Sequence, residues 1–167
     1  YPGQYVAITG YNDDLSRVLY TTSSASKPTS YFVLTDKKNV TQLGSERPWI
    51  DSNQIGEQRW ITYTARDGLS VHGYLTLPVG AAPQRLPTVL LVHGGPWARD
   101  RWGDGATSRA MQQFLANRGY AVLQVNYRGS SGYGRAHMEK ARGEFAGRMH
   151  DDLVDGVRWA VARGVAD

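Results

Sequence analysis

The sequence contains no cysteine in 167 residues. Disulfide bridges and thiolate metal sites are therefore excluded. The absence of cysteine does not identify a redox compartment, because such chains are compatible with both the cytosol and the periplasm. The compartment is therefore unknown, with a cytoplasmic location slightly favoured.

Long apolar runs and charge of one sign are also lacking. No stretch approaches the roughly 20 consecutive apolar residues that a membrane-spanning helix requires. The net charge is +4, and the arginines are scattered among acidic residues without a basic run interleaved with aromatic side chains. This pattern disfavours nucleic-acid binding. We therefore expect neither a membrane nor a nucleic acid as partner.

The chain begins at Tyr1 without an initiator methionine, and no secretion signal or cleavage pattern follows. We interpret it as an internal segment or a processed chain. Its length suits one domain, or one domain with part of another.

Residues 1–55 consist of short apolar runs separated by polar, turn-forming segments. The runs lie at residues 5–8, 17–20, 31–34 and 40–43. This pattern predicts four short antiparallel strands. Four such strands in about forty residues are typical of one β-propeller blade, and a free-standing meander is the alternative.

The hydrophobic period changes near residue 56. Alternating runs at residues 59–64 and 71–78 flank Asp67-Gly68, which predicts a hairpin. Further on, residues 87–92 predict a buried strand, residues 106–118 a helix and residues 120–126 a second apolar strand. The apolar face of that helix is expected to consist of Ala110, Met111, Phe114 and Leu115.

A last helix is indicated by an apolar stripe that begins after two acidic residues. The stripe comprises Leu153, Val157, Ala160 and Val161, and Asp151 and Asp152 precede it. Two strands that are each followed by a helix predict an α/β fold with a mainly parallel, helix-covered sheet.

The strand at residues 87–92 ends abruptly in His93-Gly94-Gly95-Pro96. Two glycines at a strand end present bare backbone N–H groups, which can hold a developing negative charge as in an oxyanion hole. The same glycines are compatible with a simple tight turn. The Pro96-Trp97 pair and the downstream Asn-Tyr-Arg-Gly at residues 126–129 favour the catalytic interpretation.

Together with residues 124–134, this turn resembles the prolyl oligopeptidase family of serine peptidases, and most of all its acylaminoacyl-peptidase-like branch. The segments at residues 73–78 and 150–153 support the resemblance, which runs from about residue 65 to residue 167. It implies an N-terminal half of an α/β-hydrolase domain at residues 56–167. The strands at residues 1–55 are then the last blade of a β-propeller.

The resemblance also implies which groups act in the turn. In the family a backbone N–H of the His-Gly-Gly-Pro turn, here that of Gly95, holds the oxyanion, and Gly94 and His93 shape the turn. Relatives with tyrosine at the position of His93 use its hydroxyl, whereas this chain has histidine there. The backbone donor is therefore the one expected here.

A nucleophile elbow of the form Gly-x-Ser-x-Gly is absent from the 167 residues. Ser131 has Gly129 two residues before it but Tyr133 two residues after it. In this fold the acid and the histidine follow the serine in chain order. The chain is therefore expected to supply an oxyanion donor without the serine, aspartate and histidine of the triad, and to be inactive by itself.

Other side chains have both a functional and a structural interpretation. Trp97 and Tyr133 are candidates for substrate contact, with core packing as the alternative. Arg128 is interpreted as a structural ion-pair residue rather than a substrate clamp. His150, Asp151 and Asp152 are explained as helix-start residues, so neither a metal nor a cofactor is expected.

The whole enzyme is expected to hydrolyse short peptides through an acyl-enzyme. Its partners would be the peptide substrate and the rest of its own hydrolase domain and propeller, with a homo-oligomer possible. One alternative is an α/β-hydrolase esterase. The other is a non-catalytic half-domain that acts as a binding or pairing module, in which the strand at residues 120–126 would form an exposed edge.

Overall fold

The computed structural model describes residues 1–103 and 106–167, and the chain divides into two compact units, Tyr1–Ile55 and Gly56–Asp167. Among the described residues, no helix is both long enough and apolar enough to cross a membrane.

The first unit is a four-stranded antiparallel sheet. Its strands follow chain order and are β1 (Tyr5–Tyr11), β2 (Arg17–Ser24), β3 (Lys27–Thr35) and β4 (Asn39–Ser45). Tyr20 and Phe32 stack on neighbouring strands with ring centroids 5.3 Å apart. Burial and a hydrogen bond with Tyr1 raise the pKa of Tyr20 to about 12. The four predicted strands are present, each longer than its apolar run.

The second unit is built on a mixed sheet. Its strands are β5 (Gln58–Thr64), β6 (Ser70–Thr76), β7 (Thr88–Leu90) and β8 (Ala121–Asn126), in the order β5-β6-β8-β7. The predicted hairpin is confirmed, because β5 and β6 pair antiparallel around the Asp67-Gly68 turn. In the described sheet only β7 and β8 run parallel, so the expectation of a mainly parallel sheet is wrong for this part of the fold.

Strand β8 lies in the interior of the sheet, between β6 and β7, and all six of its residues are buried. The expectation that this strand forms an exposed edge is therefore wrong. The reason is the β7-to-β8 crossover, which returns the chain to the inner side of β7. The three residues of β7 are only half-buried, although a buried strand was predicted there.

In the described part of this unit the helices are α1 (Ala106–Ala116), α2 (Arg135–Glu139) and α3 (Arg148–Ala162). On α1 the predicted apolar face is not the buried one, since Met111 and Phe114 are about half exposed. Gln112 and Ala116 are buried instead. Polar partners on the sheet explain this, because the Gln112 amide oxygen accepts a hydrogen bond from Gln58.

Helix α3 packs its small residues against the sheet. A Cβ at Gly156 would lie 3.0 Å from both the Tyr63 hydroxyl and a Val125 methyl group, so the helix approaches closely here. Ala160 is fully buried, as the apolar stripe predicts, whereas Val157 and Val161 are exposed. The core of this unit therefore lies between α3 and the apolar face of the sheet.

Candidate functional site

The His93-Gly94-Gly95-Pro96 turn begins just beyond β7. The ladder with β8 ends at Leu91, whose N–H donates to Leu123 O at 2.8 Å. Gly95 has φ +133°, and a Cβ there would come within 2.7 Å of Trp97 N and 2.8 Å of Ala98 N. No residue with a side chain fits this position without moving the backbone. The turn therefore requires glycine at residue 95.

The backbone N–H of Gly95 makes no hydrogen bond within the described part of the chain. Around Gly94 the space is open, because nothing lies within 4 Å of a Cβ built there. An N–H group without a partner at an open turn can donate to an anionic oxygen of a bound molecule.

The side chain of His93 is bonded within the site. Nδ1 lies 2.8 Å from Gly94 O, and Nε2 lies 3.0 Å from Ser130 Oγ. Because a carbonyl oxygen only accepts, Nδ1 carries the proton, and in the neutral ring Nε2 accepts from the Ser130 hydroxyl. The imidazole also stacks on Tyr127, with centroids 4.6 Å apart, and the Tyr127 hydroxyl donates to His93 O at 2.9 Å.

The loop that follows β8 runs alongside the turn. Ser131 N donates to Ala98 O at 3.0 Å, and Ser130 N donates to Tyr127 O at 3.0 Å. Ser130 is completely buried. The turn and this loop are therefore joined by both backbone and side-chain hydrogen bonds.

Arg128 anchors the loop by a buried ion pair. Its Nη2 and Nε lie 2.7 Å and 2.9 Å from the two carboxylate oxygens of Asp152, which is fully buried. A third bond, of 2.8 Å, joins Arg128 Nη1 to Asp67. This hydrogen bond lowers the pKa of Asp67 to about 2. The interpretation of Arg128 as a structural ion-pair residue is confirmed.

The acidic residues at the start of α3 face arginines. Asp151 pairs with Arg66 at 2.8 Å, and Asp155 pairs with the same guanidinium at 2.8 Å. Hydrogen bonds from Arg66 lower the pKa of Asp155. Within residues 1–103 and 106–167, no three His, Asp or Glu side chains form a group that could hold a metal ion.

The two aromatic residues predicted to contact substrate lie in different places. Trp97 is 66% exposed and, with Pro96, lines an open cavity of about 460 Å³. Met138 and Phe145 line the same cavity, with Arg135 and Arg142 among its other residues.

Tyr133 lies outside this cavity. It stacks on His72 with centroids 5.1 Å apart, and its hydroxyl accepts from Asn126 Nδ2 at 2.8 Å. Tyr133 is therefore not among the residues that line the cavity of Trp97.

Sequence reasoning missed a buried polar pair beneath the turn. Asn126 bonds the backbone of Asp100 twice, because Asp100 N donates to Oδ1 at 2.8 Å and Nδ2 donates to Asp100 O at 3.0 Å. Burial raises the pKa of the Asp100 carboxyl, against opposing effects of His93 and Gln124. The available signal was the pair of polar residues, Gln124 and Asn126, on one face of an otherwise apolar strand.

The comparisons with known proteins agree on one family. Residues 106–167 match the model of the prolyl oligopeptidase family. Over 98% of its length the chain is 42% identical to dipeptidyl aminopeptidase BIII of Pseudoxanthomonas mexicana, of which it covers 24%.

Solved structures with the same fold cover nearly all of this chain. A puromycin-hydrolyzing peptidase of Mycobacterium tuberculosis matches with a TM-score of 0.73 at 25% identity, over 91% of this chain and 24% of that one. The acylaminoacyl peptidase of Pyrococcus horikoshii has the same fold over 100% of this chain, with a TM-score of 0.73 at 22% identity and 26% of its own length covered. The chain belongs to the prolyl oligopeptidase family.

Proposed function

We propose that this chain is the first part of the catalytic domain of a serine peptidase, preceded by the last blade of a β-propeller. The blade corresponds to residues 1–55, and the N-terminal part of the α/β-hydrolase domain corresponds to residues 56–167. The antiparallel order of β1 to β4 supports the first assignment. The parallel β7–β8 pair, with α1 between its strands, supports the second.

The single observation that carries the proposal is the backbone N–H of Gly95. It has no hydrogen-bond acceptor within the described chain, and it lies in a turn that only glycine can form. When a serine attacks a peptide carbonyl, the carbonyl oxygen becomes negative and requires donors at hydrogen-bond distance. We assign Gly95 N–H as one of these donors, in a turn shaped by His93 and Gly94.

The remaining catalytic groups come from outside the 167 residues in this proposal. The nucleophilic serine follows the oxyanion turn in chain order in this fold, and the acid and the histidine follow the serine. No Gly-x-Ser-x-Gly elbow occurs in the sequence. The 167-residue chain alone is therefore expected to be inactive.

The substrates that we propose are short peptides, and the specific reaction is the release of dipeptides from a free amino terminus. The 42% identity to a protein named dipeptidyl aminopeptidase BIII supports this choice. Trp97 and its cavity are assigned to contact with the substrate, because the cavity begins at Pro96, next to Gly95. The substrate contact predicted for Tyr133 stays a prediction.

Intact mass after treatment with a fluorophosphonate probe tests the catalytic assignment. The complete protein that contains this sequence is expected to gain one probe adduct on one serine. The 167-residue chain, at 18.5 kDa, is expected to gain none. An adduct on the short chain, or none on the complete protein, would contradict the proposal, and the latter result would favour a non-catalytic pairing module.

The oxyanion assignment has its own test. Gly95→Ala keeps the backbone N–H, but its Cβ would collide with Trp97 N and Ala98 N and displace the turn. In the complete protein this displacement is expected to lower kcat about 10² to 10³-fold, the usual cost of losing one oxyanion donor. Gly44→Ala is the matched control, because a Cβ at Gly44 meets no atom within 4 Å. Equal rates for the two variants would remove Gly95 from the catalytic machinery.

A substrate panel then tests the specificity. Nitroanilides of a dipeptide with a free amino terminus, of an N-acetyl amino acid and of a blocked tripeptide are compared by kcat/KM. The free dipeptide is expected to be the best substrate. A preference for the acetylated amino acid would replace dipeptide release by acylaminoacyl release, while the serine mechanism would stand.

A further inference from the structure

The peptide unit between Gly94 and Gly95 contains both a fixed acceptor and the candidate oxyanion donor. Its carbonyl belongs to Gly94 and its N–H to Gly95. Because a trans peptide unit is planar, its C=O and N–H point in opposite directions. A group that holds Gly94 O in place therefore also sets the direction of the Gly95 N–H.

His93 is that group. Its Nδ1–H donates to Gly94 O at 2.8 Å, and its ring is kept in place by stacking on Tyr127 at an interplanar angle of 14°. A hydrogen bond to the carbonyl also polarises the peptide unit and makes its N–H a stronger donor. His93 thus acts on the candidate oxyanion donor without facing the oxyanion itself.

The bond to Gly94 O exists only when the proton of the neutral imidazole is on Nδ1. In the other tautomer, the Nδ1 lone pair would face the lone pairs of the carbonyl oxygen. The hydroxyl of Ser130, 3.0 Å from Nε2, favours the required tautomer when it donates to that nitrogen. Ser130 is fully buried, so its hydroxyl is shielded from bulk solvent.

We propose that Ser130 is a positioning residue, which acts through His93 and the Gly94 carbonyl to direct the Gly95 N–H. This inference rests on the proposed function, since it assigns Ser130 to the oxyanion donor of that same site. The Arg128–Asp152 ion pair two residues away holds the loop, and with it the hydroxyl, against the turn.

The experiment measures kcat and KM of the complete protein with a dipeptide nitroanilide. Ser130→Ala is expected to lower kcat about tenfold, less than the 10² to 10³-fold that loss of a whole oxyanion donor costs. KM is expected to stay within about twofold, because the lost interaction acts in the transition state. Ser131→Ala removes a hydroxyl from the next residue, whose backbone N–H bonds Ala98 O, and is the matched control.

A double-mutant cycle tests the route through His93. The amide of an asparagine at residue 93 reaches the place of Nδ1 and can donate to Gly94 O without help from Ser130. In the His93→Asn background, Ser130→Ala is therefore expected to have no further effect on kcat. If Ser130→Ala does not fold, Ser130→Cys keeps the buried volume with a weaker donor, and the same loss of kcat is expected.

The outcomes separate this inference from the proposed function. A wild-type protein with neither turnover nor a probe adduct would overturn both. Normal wild-type turnover, with Ser130→Ala and Ser131→Ala equally active, would overturn the role of Ser130 alone. The role of Ser130 would also be overturned if Ser130→Ala lowered kcat further in the His93→Asn background. The same holds if Ser130→Ala changed only KM.

Discussion

The two faces of β8 differ in chemistry although both are buried. Leu123 and Val125 point to the side covered by α3 and belong to the apolar core. Gln124 and Asn126 point to the other side, where Asn126 holds the backbone of Asp100 and Gln124 meets Gln58. Asp100 lies five residues after Gly95, in the segment that follows the candidate oxyanion turn. The apolar face of β8 therefore stabilises the sheet, whereas the polar face fixes this segment.

The largest effect is expected on the apolar face. Leu123→Ala removes a fully buried side chain from the centre of the sheet. It should lower the free energy of unfolding by about 3 kcal/mol, through lost burial and the cavity left behind. Denaturant unfolding of the complete protein measures this. Val161→Ala, at a residue that is 49% exposed, is the control and should cost less than about 0.5 kcal/mol.

If the two faces of β8 act separately, Leu123→Ala leaves kcat of the folded protein unchanged. A large fall in kcat, at a temperature where the variant is fully folded, would show that the apolar face also controls the site.

A smaller loss of stability, with a loss of activity, is expected on the polar face. Asn126→Ala leaves the N–H and C=O of Asp100 without their side-chain partners, at a cost of about 2 kcal/mol. Because Asp100 lies in the segment that follows the candidate oxyanion turn, kcat should fall as well. Asn117→Ala, at an exposed residue after α1, is the matched control. An Asn126→Ala protein with reduced stability and unchanged kcat would remove the distinction between the two faces.

The smallest effect concerns the charge that holds the loop beyond β8. Arg128 lowers the pKa of Asp67 to about 2, whereas an unfolded aspartate titrates near 3.9. A carboxylate with a lowered pKa contributes its stabilisation above about pH 4 and loses it as the pH falls toward about 2. Asp67→Asn should therefore lower the Tm at pH 7 and flatten its decline between those pH values.

Thermal unfolding at several pH values measures this contribution. Asp13→Asn, which removes a carboxylate from the exposed β1–β2 turn, is the control. If the Tm of both variants falls with pH in the same way, the ion pair between Asp67 and Arg128 does not contribute to the pH dependence of stability.

Local chemistry in the sequence predicted some of these features, and pairings distant in sequence decided the others. The Asp67-Gly68 turn lies between two alternating runs, so the β5–β6 hairpin could be predicted from adjacent residues. The interior position of β8 depends on which strand it joins after the crossover, and no local period contains that information. The apolar residues of α1 likewise predicted the wrong buried face, because the side chains on the sheet opposite the helix are Gln58 and Thr76.

The turn at residues 93–96 was likewise only partly predictable from the local sequence. The two glycines predicted an open backbone at the strand end, and the structure has an open turn there. The partnership of His93 with Ser130 joins residues 37 positions apart. It could not be read from either segment alone, because both segments are explained locally as glycine-rich turns.

Gly95 and Gly94 also differ in what mutation can do to them. Every single-nucleotide change of a glycine codon that alters the residue introduces a Cβ. At residue 95 that atom collides with the backbone of Trp97 and Ala98, whereas at residue 94 it meets no atom within 4 Å. Every substitution at residue 95 therefore disturbs the turn. A lineage that loses this glycine regains the turn only by reversion or by further changes in the surrounding segment.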